Sequence, residues 1–237
     1  MSDQASDGGT RHGATARIDY DGDGLTEAAL LDTPYAQARA WVDEAVARAA
    51  TSPDVFEPLA ISVATVDSDG RPNVRTVLMR FFDERGPGFV TALTSAKGRE
   101  LTHTAAVAAA LTWPAMYRAI RFRGKAVEVS REEVERYFDS RPWASRISAW
   151  ASQQSEPIGS RAELEAQYVE RAAAFPDHGG DDDVPVPDFW GGFRIVPDEV
   201  EFWAGRRNRL HDRLVFSRVG EGDLGDPASW AVTRRQP

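Results

Sequence analysis

The stretch LAISVATVDSDGRPNVRTVLMRFF, residues 59–82, begins the strand-forming part of the chain. Two runs rich in β-branched and apolar residues, 59–67 and 74–82, flank the turn-forming segment SDGRPN, a pattern typical of antiparallel strands. Further short runs at 89–93, 106–113 and 119–130 are separated by Gly, Asp and Pro turns. The middle of the chain therefore predicts an antiparallel meander or barrel.

Helices and further strands surround this region. Apolar residues at helical spacing predict a helix over 33–50, and 95–104 predicts a short one. Two later helices are predicted to begin at capping boxes, Ser130 with Glu133 and Ser160 with Glu163. The end of the chain returns to strands in GGFRIVP, EVEFWA, RLVFSRV and WAVTRR. Helices and strands in separate blocks predict an α+β fold with a predominantly antiparallel sheet.

Composition bounds the class of protein. The 237 residues are 42% hydrophobic and 27% charged, which indicates a globular chain. We expect a disordered tail over 1–15 and a single domain over 16–237. The net charge of −9 argues against binding of nucleic acid or of an anionic membrane surface. The lack of cysteine excludes disulfides and thiolate metal sites, and with no signal peptide or apolar run of spanning length it fits a cytoplasmic protein.

Familiar catalytic and metal motifs are missing from the sequence. It has no Gly-rich dinucleotide fingerprint, no phosphate-binding P-loop, no G-x-S-x-G elbow and no H-E-x-x-H pair. The segment DYDGDGLTEAAL, 19–30, starts like a calcium loop but ends on Leu30 where a bidentate glutamate is needed. We therefore expect no metal site.

Arginines are the candidates that remain. The stretch GRRNRLHDR, 205–213, places Arg209, His211 and Arg213 two residues apart, so that on a strand their side chains would share one face. The planar guanidinium binds phosphate or carboxylate bidentately. Further cations lie elsewhere in the chain: Arg75, Arg80, Lys97 and Arg141. The spacing alone leaves two interpretations open, a site for one or two phosphates, or surface arginines paired with acidic side chains.

Several segments, in order, resemble the pyridoxine/pyridoxamine 5′-phosphate oxidase family, FMN enzymes that make pyridoxal 5′-phosphate. They are RIDY (17–20), RTVLMRFFDERG (75–86), SAKGREL (95–101), YFDSRPWASRISAWASQQSEPI (137–158), FWGGFRIVP (189–197), EFWAGRRNRLHDR (201–213) and the terminal RRQP. The resemblance implies an FMN-binding split β-barrel and a homodimer with FMN at the interface. Residues from about 189 to 237 would form the dimerisation and substrate region. The implied reaction oxidises a phosphorylated B6 vitamer with dioxygen, which becomes hydrogen peroxide.

The resemblance also implies roles for individual residues. Arg75 and Lys97 would bind the FMN phosphate. The flavin would be surrounded by Thr91, Gln154, Ser155, Trp203 and Arg213. Tyr137, Arg141 and Ser145 would bind the substrate phosphate. Arg80 would contact both substrate and cofactor. Arg209 and His211 are the expected catalytic pair over the substrate ring. Arg17 and Tyr20 belong to an N-terminal segment that closes over the site.

Three features depart from the family pattern, of which the smallest is Ser148-Ala149-Trp150 where the family has GAW. Arg80 stands where the family has a lysine, and Ala119 stands where it has a flavin-contacting glutamine. These changes leave two alternatives, a phenazine-biosynthesis flavin oxidase acting on a reduced tricyclic acid, or a catalytically silent relative that binds FMN or pyridoxal phosphate. Retention of Tyr137, Arg141 and Ser145 favours a phosphorylated substrate.

Overall fold

The computed structural model describes residues 19–237. Its helices are α1 (Pro34–Ala49), α2 (Ala96–His103), α3 (Arg131–Asp139), α4 (Trp143–Ala151) and α5 (Arg161–Ala174). Its strands are β1 (Ala60–Val66), β2 (Pro72–Leu78), β3 (Phe81–Asp83), β4 (Gly86–Ala92), β5 (Ala106–Trp113), β6 (Arg118–Glu128), β7 (Trp190–Ala204), β8 (Asp212–Arg218) and β9 (Trp230–Arg234). The predicted α+β class is confirmed. The predicted tail 1–15 and Arg17 lie outside the described residues.

The strands form one curled antiparallel sheet in the order β2-β1-β5-β6-β7-β4-β3, with β8 added to β7 and β9 to β8. Strand β7 is 15 residues long and organises this arrangement. One edge of β7 pairs with β6, while the other edge pairs first with β4 and then with β8. The sheet therefore divides along β7, as a barrel split on one side requires.

Two predicted strand boundaries were wrong. The run 74–82 is two strands, because the Met79 N–H still bonds to Leu59 while the Arg80 N–H bonds to Gly88, so the chain changes partner there. The runs GGFRIVP and EVEFWA are one strand that passes through Pro197. A bulge between Arg123 and Gly124 accommodates the proline, and a Cβ at Gly124 would collide with the carbonyl oxygen of Val196.

Alternating strand residues build the main core. Ile120, Phe122, Val200 and Phe202 are fully buried on the inner face of β6 and β7. Helix α1 covers this face, with the Trp41 ring edge-on to Phe202 at 5.4 Å between centroids. The helix starts predicted at Ser130 and Ser160 are confirmed, since both side chains accept from backbone N–H groups three residues on. The reciprocal bond of a capping box is not among the described contacts, and Glu163 accepts from the Gly159 N–H instead.

A second, smaller core lies between α3 and α4. It contains Phe138, Ile147 and Val184, with residues of α5 packed against it. Helix α4 was not predicted from the sequence. Within residues 19–237, every helix is too short or too polar to cross a bilayer.

Candidate functional site

A buried lysine marks the first cluster of predicted residues, which comprises Arg75, Thr91, Lys97, Gln154 and Ser155 and is called here the Lys97 cluster. The Lys97 ammonium donates to Thr91 Oγ1 at 3.0 Å and to Gln154 Oε1 at 2.9 Å. Thr91 Oγ1 donates in turn to Gln154 Oε1 at 2.7 Å. The Ser155 hydroxyl accepts from the N–H of Ala96 in the first turn of α2 at 3.1 Å. The structure thus brings this predicted cofactor set together.

Arg75 and Lys97 differ in the charges they meet. The Arg75 guanidinium is paired with Glu100 Oε2 at 2.8 Å and also donates to Thr65. The side-chain acceptors described for Lys97 are neutral oxygens. Burial and, to a smaller extent, the positive charge of Arg75 together lower the pKa of Lys97 to about 8, against the opposing effect of the Glu100 carboxylate. A buried ammonium of this kind is suited to a dianionic phosphate at the start of α2.

Glu100 is a site residue that the sequence analysis missed. Its side chain is buried, and besides Arg75 it accepts from Thr65 and from Asn73 Nδ2 at 3.0 Å. Burial raises its pKa, but these three hydrogen bonds and the charge of Arg75 outweigh burial and hold it below its usual value. Glu100 thereby fixes the direction of Arg75. Arg75 and Glu100 are 25 residues apart in the chain, so no short-range sequence pattern predicts that they pair.

The second cluster, the Arg141 cluster, comprises Arg80, Tyr137 and Arg141. The Arg80 guanidinium lies 5.8 Å from the centroid of the Tyr137 ring, and Arg141 lies 4.9 Å from that of Trp190. The Nη1 atom of Arg141 is buried and has no hydrogen-bond partner in the described residues. Burial lowers the pKa of Arg141, and the positive charge of Arg80 acts in the same direction. A buried donor without an acceptor is costly, so this cluster is suited to an anion.

Helix α4 separates these two clusters. Arg141 precedes the helix and Ser145 lies in its first turn, while Gln154 and Ser155 follow its last residue. A helix of nine residues spans about 13 Å, so the two regions of unpaired positive charge are distinct. No side-chain hydrogen bond of Ser145 is among the described contacts. Its position near Arg141 therefore follows only from its place in the first turn of α4.

The third cluster, the Trp203 cluster, comprises Tyr20, Trp203, Arg209, His211 and Arg213. The His211 ring lies 4.8 Å from Trp203 and 5.3 Å from Tyr20, measured between centroids. Gly205 allows this packing, because a Cβ there would lie 2.9 Å from Tyr117 and 3.1 Å from Trp203. Tyr20 therefore packs against the imidazole, while its role in a segment that closes over the site stays a prediction.

The expectation that Arg209, His211 and Arg213 lie along one strand was wrong. Strand β8 begins at Asp212, and Arg209 ends a short 3-10 turn in which Asn208 and Arg209 have positive φ angles of 58° and 64°. The exposed turn therefore carries Arg209, and only Arg213 is a strand residue.

A backbone contact defines the protonation of His211. Its Nδ1 accepts from the Arg206 N–H at 3.1 Å, so a neutral imidazole carries its proton on Nε2. Burial lowers the pKa of His211, and the positive charge of Arg209 lowers it further, against the opposing effect of Asp212. At neutral pH His211 is therefore a neutral Nε2–H donor.

Three neighbouring strands place Ala119, Trp203 and Arg213 side by side. Ala119 of β6 is the cross-strand partner of Trp203, and Trp203 is that of Arg213. Directly paired residues share a face of the sheet, so Ala119 lies beside the two expected flavin contacts. Strands β1, β5 and β6 stand between Arg75 of β2 and Trp203 of β7. A single chain therefore presents the predicted residues as three separate clusters.

Two family profiles together match most of the chain. A family profile described as "Pyridoxamine 5′-phosphate oxidase" matches residues 43–173. A second, described as "Pyridoxine 5′-phosphate oxidase C-terminal dimerisation region", matches residues 190–237. The first match contains the Lys97 and Arg141 clusters, and the second contains Trp203, Arg209, His211 and Arg213.

Individual relatives agree over nearly their full length. A pyridoxine/pyridoxamine 5′-phosphate oxidase of Burkholderia multivorans is 46% identical over 224 residues, covering 94% of this chain and 98% of that protein. A protein of the same description from Kineococcus radiotolerans is 44% identical over 225 residues, again covering 94% and 98%.

Solved structures share the fold. PhzG from Burkholderia lata, in complex with tetrahydrophenazine-1-carboxylic acid, has a TM-score of 0.78 at 32% identity, covering 91% of this chain and 99% of PhzG. A pyridoxamine 5′-phosphate oxidase-related, FMN-binding protein from Nostoc punctiforme has a TM-score of 0.64 at 19% identity, covering 86% and 98%. The predicted split β-barrel is confirmed by these likenesses.

Proposed function

This chain belongs to the pyridoxine/pyridoxamine 5′-phosphate oxidase family, and on that premise we propose that it oxidises pyridoxamine or pyridoxine 5′-phosphate to pyridoxal 5′-phosphate. Family membership makes it an FMN-dependent oxidase of this type. The match of residues 190–237 to a dimerisation region supports a homodimer.

One observation carries the choice of a phosphorylated substrate. The half-buried Arg141 guanidinium has a buried Nη1 with no hydrogen-bond partner in the described residues and stands beside Arg80, at the other end of α4 from Lys97. A protein that bound only FMN would need one phosphate region, which the Lys97 cluster supplies. The second region calls for a second anion, and the phosphate of a B6 vitamer fits it.

The residues present fit FMN by the chemistry of their donors. Lys97 offers an ammonium with neutral partners, and Arg75 adds a guanidinium whose direction Glu100 holds. These two residues would hold the phosphate, while Trp203 and Arg213 would flank the flavin. Bound FMN would supply the redox chemistry, taking a hydride equivalent from the substrate and passing the electrons to dioxygen, which leaves as hydrogen peroxide.

The remaining residues would orient the substrate. Arg141, Tyr137 and Arg80 would hold its phosphate, which fixes the ring and lowers the entropic barrier to reaction. His211 would donate from Nε2 to a ring substituent, while Arg209 would place positive charge where negative charge develops. Tyr20, packed against His211, would exclude water from this side. Because one chain leaves these clusters separate, we infer that the second subunit completes each site.

A second candidate function is favoured by the likeness to PhzG, whose solved structure contains tetrahydrophenazine-1-carboxylic acid. Arg80 and Ala119 alter positions at the substrate and flavin sites, so an oxidase of a reduced tricyclic acid is the alternative. Such a substrate carries a carboxylate and no phosphate. It would leave the Arg141 region without the dianion that its buried donor favours.

The two functions can be separated by one assay. Purified protein loaded with FMN is given oxygen and, in turn, pyridoxamine 5′-phosphate, pyridoxine 5′-phosphate, unphosphorylated pyridoxamine and tetrahydrophenazine-1-carboxylic acid, while hydrogen peroxide is measured. We expect turnover of the two phosphorylated vitamers. Peroxide formed only with the tricyclic acid would support the alternative, and FMN binding without any turnover would indicate a silent relative.

An Arg141→Gln variant tests the substrate-phosphate assignment. A charged hydrogen bond contributes about 1.5–3 kcal/mol, so KM for the phosphorylated vitamers should rise about tenfold to a hundredfold while FMN affinity stays unchanged. Arg136→Gln, which removes a charge from the exposed face of α3, is the matched control. Equal KM values in wild type and Arg141→Gln would remove Arg141 from the phosphate site.

A further inference from the structure

Glu201 is a buried carboxylate on β7 that points away from the main core. Its neighbours Val200 and Phe202 are fully buried in that core, so alternation places Glu201 on the opposite face together with Trp203. Three guanidinium groups converge on it. Arg213 binds it at 2.8 Å, Arg121 at 3.0 Å and Arg235 at 3.6 Å.

The pair with Arg213 is bidentate. Arg213 Nε donates to Glu201 Oε1 at 3.2 Å and Nη2 donates to Oε2 at 2.8 Å, while Nη1 donates to the carbonyl of Gln236 at 3.0 Å. A guanidinium carries five N–H groups, so one N–H remains on each terminal nitrogen. Arg213 is thus held before any ligand arrives, beside its cross-strand partner Trp203.

We propose that Glu201 is a positioning residue, which holds the Arg213 guanidinium in the direction needed to contact FMN. This inference rests on the proposed function, because it takes Arg213 as a flavin contact. A free arginine has many rotamers, and binding must then restrict them. Glu201, itself held by Arg121 and Arg235, already restricts the rotamers of Arg213 in the apo-protein. FMN binding therefore does not bear that entropic cost.

Glu199 provides a matched control with an opposite expectation. It accepts from Arg121 at 3.1 Å and from Arg235 at 2.6 Å, but the structure describes no contact between it and Arg213. Glu199→Gln and Glu201→Gln each remove one negative charge from the same cluster. Charge alone would make both variants bind the FMN phosphate equally or more tightly. Loss of positioning would weaken binding only in Glu201→Gln.

The test is an FMN titration of full-length apo-protein, followed by quenching of flavin fluorescence. We expect Glu201→Gln to raise the Kd for FMN about tenfold. Glu199→Gln should bind as tightly as wild type or more tightly. Equal Kd values in the two variants would overturn the proposal.

Two further variants complete the test, and the first of them also covers a Glu201→Gln protein that does not fold. Glu201→Asp keeps the charge but is one methylene shorter, so the bidentate pair is lost and the Kd should again rise; a wild-type Kd overturns the proposal. In an Arg213→Gln background, the second change Glu201→Gln should have no added effect on the Kd. An additive effect would show that Glu201 acts without Arg213.

The outcomes separate this inference from the proposed function. Wild-type protein that binds FMN but oxidises neither phosphorylated vitamer contradicts the proposed function alone. Wild-type protein that oxidises them, together with a Glu201→Gln variant of unchanged Kd, contradicts the role of Glu201 alone.

Discussion

Replacement of Lys97 by methionine should stabilise the apo-protein and weaken FMN binding. Lys97 is buried, its described side-chain acceptors are neutral oxygens, and its pKa is lowered to about 8. The charged form is therefore less favourable in the folded protein than in the unfolded chain, where a lysine has its ordinary pKa. A bound phosphate would reverse this by supplying the missing negative charge.

The magnitude follows from the pKa. A fall from 10.5 to about 8 corresponds to a cost of about 3 kcal/mol at ~1.36 kcal/mol per pH unit. The unfolded chain binds more protons than the folded protein between pH 8 and 10.5, so stability rises with pH across that window. Below about pH 8 the full cost is present. Allowing for lost hydrogen bonds, Lys97→Met should raise the unfolding free energy at pH 7 by about 1–3 kcal/mol.

The assay is urea unfolding of the apo-proteins at pH 7 and pH 10, in buffers without phosphate or sulfate. The advantage of Lys97→Met over wild type should shrink to below about 1 kcal/mol at pH 10, because wild-type Lys97 is then mostly neutral. The Kd for FMN should rise about tenfold to a hundredfold through loss of one charged hydrogen bond. Lys125, the other lysine of the chain, is exposed near the end of β6, and Lys125→Met is the control.

A stability difference that does not depend on pH would refute this reasoning, and so would a Lys97→Met protein less stable than wild type at pH 7. Either result would mean that a negative group near Lys97 compensates its charge in the apo-protein. Unchanged FMN affinity would separately remove Lys97 from the phosphate site.

Three further predictions concern the Trp203 cluster. Arg209→Ala should lower kcat by about 10²-fold or more while FMN stays bound, and unchanged steady-state kinetics would remove Arg209 from the mechanism. Ala119→Gln should lower the Kd for FMN about two- to tenfold if the added amide reaches the flavin beside Trp203, whereas equal or weaker affinity in a titration would contradict that contact. Because the pKa of His211 is lowered, the neutral form needed for Nε2–H donation should persist below pH 6.5. The value of kcat/KM should then rise with pH only below pH 6.5. If His211→Asn loses kcat/KM at low pH in the same way as wild type, protonation of another group causes that loss.

Local patterns were sufficient for most of the secondary structure. The capping serines Ser130 and Ser160 start helices where predicted, because a side-chain oxygen and the backbone N–H it accepts are close in sequence. Helix α4 was missed, since its amphipathic character serves a small core with α5 and Val184 that only the folded chain creates. The strand boundary at Arg80 likewise depends on which neighbour each strand finds.

The sequence by itself determined the α+β class, most of the strands and helices, and the family to which the chain belongs, because these depend on short-range periodicity and on motifs that occur in order along the chain. Only the tertiary structure decided how the charges are distributed. It shows that Arg75 and Arg213 are held by Glu100 and Glu201, whereas the buried donors of Lys97 and Arg141 meet no carboxylate among the described contacts. The reason is physical: whether a cation is paired depends on which distant strands meet and what burial removes from water, and neither is written in the spacing of residues along the chain.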